Sequence, residues 1–123
     1  VGFLKAFVAI AAKLDAWVTL SDMSISGNPL VYVNDEFCST TGYTRDEALG
    51  RNCRFLQGPD TDQARVAAIR QGIADGVDRF TIERVVLDRR ATRSTLTFEQ
   101  LYLDGTRMQW SCDLDEACER GSA

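Results

Sequence analysis

The apolar pattern changes period once along this chain, at Gly76, and that change restricts the fold more than any other feature. Before it, helix starts are written in the residues. Asn34 stands ahead of residues 35–41 with Gly42 behind them, Thr44-x-x-Glu47 has the form of a capping box, and Asp60-x-x-Gln63 opens a stretch reaching about Ala74. After it, β-branched and aromatic residues alternate with polar ones. Residues 79–87, 93–103 and 106–114 therefore read as strands, with Asp104-Gly105 as the turn between the last two. Two further strands are expected upstream, at residues 16–21 and 30–33, joined by the turn-prone Ser26-Gly27-Asn28-Pro29. Phe3, Phe7, Ile10 and Leu14 recur at helical spacing, widened by Leu4, Val8 and Ala11, so residues 2–15 read as an amphipathic helix. The predicted fold is α+β: a five-stranded antiparallel sheet with helices on one face and an N-terminal flanking helix.

At 123 residues there is room for one core and not for two. The expected division is a flanking helix at 1–15, a core at 16–115 and a tail at 116–123. A net charge of −4 argues against direct nucleic-acid binding, which wants a basic face. No apolar run approaches the ~20 residues of a membrane span, and no arginine-rich transit peptide is present, so a cytoplasmic location is expected. The chain has no histidine, and its four cysteines form no C-x-x-C. That removes the usual zinc sites, Ser-His-Asp and Cys-His catalysis, and histidine-ligated haem. Spacing alone allows a Cys112–Cys118 disulfide, but free thiols suit the expected compartment better.

One stretch, Gly50-Arg51-Asn52-Cys53-Arg54-Phe55-Leu56-Gln57-Gly58-Pro59, sets a thiol between an amide and a guanidinium and follows it with a second amide. In the helix beyond it, Val66, Ile69, Arg70 and Ile73 fall on one face, so an arginine interrupts an aliphatic strip. Each piece alone has a plainer reading: a buried cysteine is usually a small core residue, and an arginine usually a solvated one. Together they suit a ligand with a flat apolar body, a polar edge and a phosphate tail. Branched aliphatics would pack on its faces, Asn52 and Gln57 would answer its edge, and Arg54 and Arg70 would clamp its phosphate.

The stretch "GRNCRFLQGPDTD" resembles the signature of the LOV (light, oxygen, voltage) photosensor domains, a flavin-binding branch of the PAS fold. "NPLVYVNDEFCSTTGYTRDEALG" before it and "QARVAAIRQGI" after it are similar to the family's flanking hairpin and helices. The resemblance implies a blue-light receptor in which Cys53 adds reversibly to flavin carbon C4a. It also implies that Asn52 and Gln57 lie beside the ribityl chain and flavin, that Leu56 packs on the ring, and that Arg54 and Arg70 hold the phosphate. Val66, Ile69 and Ile73 would line the cofactor, as would Asn28, Thr19 and Ser21 of the first hairpin and Phe98 of a late strand. The short connection through Gly58-Pro59-Asp60-Thr61-Asp62 resembles that of FMN-binding members, so FMN is preferred over FAD or riboflavin.

An excited flavin supplies reactivity that a thiol otherwise needs a base to acquire, and the missing histidines then need no substitute. The family also carries two asparagines and a glutamine on its late strands, hydrogen-bonded to the flavin edge. An ungapped count from Phe80-Thr81-Ile82 puts the asparagine positions on Val86 and Leu96 and the glutamine near Asp113 or Asp115. Gln100, Gln109 or Asp88 would substitute only if the strands carry bulges.

The reading is a light switch and not a turnover enzyme. It is expected to homodimerise through the flanking helix or a sheet face and to act on a fused or separate output domain. The alternative is a PAS-like dimerisation module with weakened or lost flavin binding. A thiol oxidoreductase is a poor third, since no resolving cysteine lies near Cys53 in sequence.

Overall fold

The computed structural model describes residues 2–87 and 92–113. In chain order the elements are α1 (Phe3–Ala11), β1 (Val18–Asp22), β2 (Leu30–Val33), α2 (Asp35–Thr41), α3 (Arg45–Ala48), a 3-10 turn (Cys53–Leu56), α4 (Gln63–Ala74), β3 (Arg79–Leu87), β4 (Thr92–Leu103) and β5 (Thr106–Asp113). The five strands form one sheet in the order β2-β1-β5-β4-β3, antiparallel throughout. This is the α+β architecture that the change of period predicts. Among the described residues no helix is long and apolar enough to cross a membrane. Asp88, Leu114, Asp115, Cys118 and the tail at 116–123 lie outside the described residues.

The local signals act as written. Asn34 Oδ1 accepts from Phe37 N at the start of α2, Gly42 ends it at φ 81°, and Thr44 and Glu47 form the complete capping box of α3. The β4–β5 turn places Asp104 and Gly105 at φ 53° and 82°, the pair of positive values that a two-residue hairpin requires.

Alternation along the strands gives the sheet two working faces. On one, Trp17, Leu96 and Phe98 join Phe37, Ala48, Leu56 and Val85 in the main core beneath α2, α3 and α4. On the other, Val18, Leu20, Met108 and Cys112 are covered by α1 through Leu4, Phe7 and Ala11. Gly72 allows α4 to lie close on β3, where a Cβ would meet the Phe80 ring at 2.7 Å. That ring stacks in turn on Phe98, with centroids 5.1 Å apart.

Three expectations need correction. The strip that α1 buries is Leu4, Phe7 and Ala11, continued by Leu14 in the turn after it, whereas Phe3 and Ile10 are 73% and 64% exposed. The helix stops at Ala11, so only the 4-7-11 line meets the sheet. Asp62, not Asp60, caps α4, accepting from Ala64 N at 2.8 Å. Gly58 and Thr61 close a turn on each other, through Thr61 Oγ1 (2.9 Å) and Gly58 O (3.0 Å), which uses up the residues that would have begun the helix. Finally, β3 is irregular between Ile82 and Val85: Ile82 pairs with Leu96 but Val85 with Ser94, one residue out of step.

Candidate functional site

Between the sheet and the segment from the 3-10 turn through α4 lies a cavity of about 320 Å³, the size of a small-molecule site. Every residue that the resemblance assigns to the cofactor ahead of the late strands lines it, as does Phe98. Thr19 and Ser21 come from β1, Phe98 from β4, and Asn28 from the hairpin loop. Asn52, Cys53, Arg54, Leu56 and Gln57 come from the 3-10 turn and its edges, and Val66, Ile69, Arg70 and Ile73 from α4. Arg54 and Arg70 are exposed and sit at the rim, where neither guanidinium has a carboxylate partner among the described residues.

The Cys53 segment is held from outside the cavity. Leu30 N donates to Arg51 O (2.8 Å) and Gly50 N to Leu30 O (2.9 Å), which fastens the segment to the first residue of β2. Asn52 uses both ends of its amide: Nδ2 donates to Gly27 O at 2.7 Å, and Oδ1 accepts from Arg54 N at 2.9 Å. Asn52 therefore borders the cavity chiefly as the clasp between the hairpin loop and the 3-10 turn. The Arg51 guanidinium lies over the Phe55 ring at 4.4 Å, and Tyr43 meets the same ring edge-on. Desolvation pushes the Cys53 thiol pKa up, and its own backbone hydrogen bond and nearby Arg54 offset this only in part. At neutral pH Cys53 is a thiol, not a thiolate.

Several lining residues escaped the sequence reading. Val85 takes a place on the wall, next to the position the ungapped count gave to Val86, because the β3 irregularity shifts the register there by one. Leu96 lines the cavity as counted. Trp17 and Ser111 were missed, and Gln109 was named only as a substitute conditional on bulged strands, although period two from Thr19 and Ser21 points back to Trp17, and the β1–β5 pairing sets Thr19 against Ser111 and Ser21 against Gln109. The Thr19 and Ser111 hydroxyls bond each other at 2.5 Å. Trp17 and Gln109 are 2% and 5% exposed, yet Trp17 Nε1 and Gln109 Oε1 have no hydrogen-bond partner. Buried polar atoms are rarely left so. Trp110, the other tryptophan, donates its indole N–H to Glu99 Oε1 at 2.7 Å.

A family model for the PAS domain matches residues 17–108. Among solved structures, the LOV domain of the Erythrobacter litoralis EL346 blue-light activated histidine kinase superposes with a TM-score of 0.68 at 31% identity, covering 85% of this chain and 99% of that one. The chain is a LOV domain of the PAS family. Phototropin-2 of Oryza sativa subsp. japonica is 52% identical to this LOV domain over 63 residues, which are 51% of the chain and 7% of the relative. A blue-light photoreceptor of Listeria monocytogenes is 39% identical over 88 residues, 71% of the chain and 35% of that protein. The LOV domain thus spans about a third or less of these curated relatives.

Proposed function

We propose that this domain senses blue light by holding a flavin in the cavity, FMN in preference to FAD or riboflavin, with Cys53 as the reacting thiol. One observation carries the reading: the Cys53 thiol shares a largely apolar cavity with two guanidiniums at its rim that have no carboxylate partner among the described residues. The residues fit such a ligand on independent grounds, because a buried donor on Trp17 and a buried acceptor on Gln109 line the cavity without partners. When bound, the flavin supplies the absorption of blue light and an excited, electrophilic ring carbon. Cys53 would supply that ring with the thiol sulfur and its proton and would take both back in darkness, which is the role proposed for it. The raised thiol pKa suits this role, since Cys53 then carries the proton that the step delivers. Arg54 and Arg70 answer the phosphate, and Leu56, Val66, Ile69 and Ile73 pack the ring and exclude water.

By analogy with the relative named a blue-light-activated histidine kinase, of which the chain spans 18%, the signal is proposed to reach an output unit, fused or separate. Phe3 and Ile10, exposed on α1, support a homodimer through that helix. A second reading, an interaction module with weakened flavin binding, is favoured by the aliphatic Val85 and Leu96 on the cavity wall, where the resembled family carries amides.

The absorption spectrum of purified protein tests the choice. A banded flavin peak that bleaches in blue light and recovers in darkness is expected, with Cys53→Ala retaining the peak but not the reversible bleaching. Protein without flavin that takes none up on titration would sink the photoreceptor reading, and reversible bleaching in Cys53→Ala would sink the role of Cys53.

A further inference from the structure

We propose that Trp17 and Gln109 recognise the ligand at its two ends: Trp17 Nε1–H donates to an acceptor on the ring, and Gln109 Oε1 accepts from a hydroxyl of the chain attached to it. The proposal rests on the flavin reading and assigns polar recognition to residues outside the signature stretch. These are the only buried side-chain polar atoms without a partner among the described residues, and both residues line the one cavity that holds Cys53. Trp17 Nε1–H is a donor and Gln109 Oε1 an acceptor, so a ligand that meets both must offer an acceptor to the first and a donor to the second.

Their separation decides what kind of molecule can satisfy both. Gln109 pairs with Ser21 across the sheet, and Trp17 lies four residues back along the same segment. At about 3.4 Å per residue the two backbone rows stand roughly 14 Å apart. A ligand that reaches both rows is elongated, as a tricyclic ring bearing a hydroxylated chain is.

The surroundings give the orientation. The Gln109 row is the polar end: it contains Ser21, it continues across β4 to Gln100, and Gln100 Nε2 reaches Ile73 O at 3.5 Å, which places the last turn of α4 over it. Arg70 lies one turn earlier on that helix, so the chain and its phosphate belong at this end. The Trp17 end is apolar, with Leu96 on the wall and the Trp17 ring edge-on to Phe37 at 5.6 Å. A ring carbonyl buried there needs a donor, and β3 and β4 offer Val85 and Leu96. The indole N–H takes that part.

Two measurements test the assignment. Apo-protein, wild type and Gln109→Met, is titrated with lumiflavin, riboflavin and FMN. Gln109→Met keeps the length of the side chain and removes its acceptor. It is expected to weaken riboflavin and FMN about three- to tenfold, leave lumiflavin, which lacks the hydroxylated chain, within about twofold, and not lower the melting temperature of the apo-protein, since the acceptor it removes has nothing to bond. In protein labelled with nitrogen-15 on tryptophan, lumiflavin should move the Trp17 indole proton downfield and slow its exchange, while the Trp110 indole, already bonded to Glu99, keeps its position. Wild-type protein that binds all three flavins, with Gln109→Met indistinguishable from it and the Trp17 indole unmoved, would overturn this assignment and leave the flavin reading standing. Wild-type protein that binds none of the three overturns the flavin reading itself.

Discussion

Replacing Asn34 should cost far more than the loss of a helix cap. Its side chain is 2% exposed and makes four hydrogen bonds: Oδ1 accepts from Val18 N (2.9 Å) and Phe37 N (3.0 Å), and Nδ2 donates to Ala11 O (3.1 Å) and Ala16 O (3.0 Å). The cap alone, the bond to Phe37, would account for about 1 kcal/mol. Asn34→Ala also deprives three buried backbone groups of their partner, at roughly 1 kcal/mol net for each bond lost, which brings the total to about 4 kcal/mol. For a domain of this size that corresponds to a fall in melting temperature of about 15 °C. Asn34→Asp separates the contributions, because it keeps the two acceptor bonds and sets a carboxylate against the carbonyls of Ala11 and Ala16. It should therefore keep α2 capped while releasing the end of α1. Thermal melting and urea titration of the two variants, with amide exchange in α1, provide the assay. A loss near 1 kcal/mol for Asn34→Ala, the size of a cap alone, would refute the claim that this residue joins α1, β1 and α2.

Other outcomes follow from the rim, the thiol and the hairpin. Arg54→Gln and Arg70→Gln should each weaken FMN about three- to tenfold while leaving riboflavin unchanged, and the difference should shrink in high salt because both side chains are exposed; equal losses for both flavins would refute a phosphate clamp. Burial raises the Cys53 pKa in the folded chain, so its contribution to stability is complete below the ordinary thiol value of about 8.5 and is lost as pH rises through the folded value. Apo-protein should accordingly lose stability in alkaline urea titrations more steeply than Cys53→Ala does. Asp104 accepts from Phe3 N (3.0 Å) and Leu4 N (3.3 Å), so Asp104→Ala should speed amide exchange at the start of α1 and cost about 1 kcal/mol; unchanged exchange would dismiss the contact.

What could be read in the sequence was whatever depends on neighbours in the chain. The caps at Asn34 and Thr44, the stop at Gly42 and the turn at Asp104-Gly105 are settled within a few residues, and each forms as expected. The lining of the cavity by the Cys53 stretch and by the aliphatic face of α4 was legible for the same reason, since one helical period fixes which residues point together. Long-range matters were not. Which strip of α1 is buried depends on where the helix stops and on what Trp110 and Leu20 present to it. The choice between Val85 and Val86 turns on a single irregularity in β3, and in a strand a shift of one residue exchanges the two faces. Gln109 resembles any polar residue of a half-exposed strand until its pairing with Ser21 places it at the cavity.

The two ends of α1 are secured by unequal means, and this determines how the helix can respond to the cavity. Its start is held by an exposed carboxylate on the β4–β5 turn, where water competes for the same amides. Its end is held by the buried Asn34 amide, which also fixes Val18 N, one residue from Trp17 on the cavity wall. Between them the helix rests on the outer side chains of β5, Met108, Trp110 and Cys112, which alternate with Gln109 and Ser111 on the cavity side. Cavity and helix are thus separated by the thickness of one strand, and a displacement of Gln109 or Ser111 moves the backbone that carries Trp110 against Phe7. The weaker anchor yields first. Opening of α1 therefore begins at Phe3 and stops short of Ala11 for as long as Asn34 keeps its four bonds.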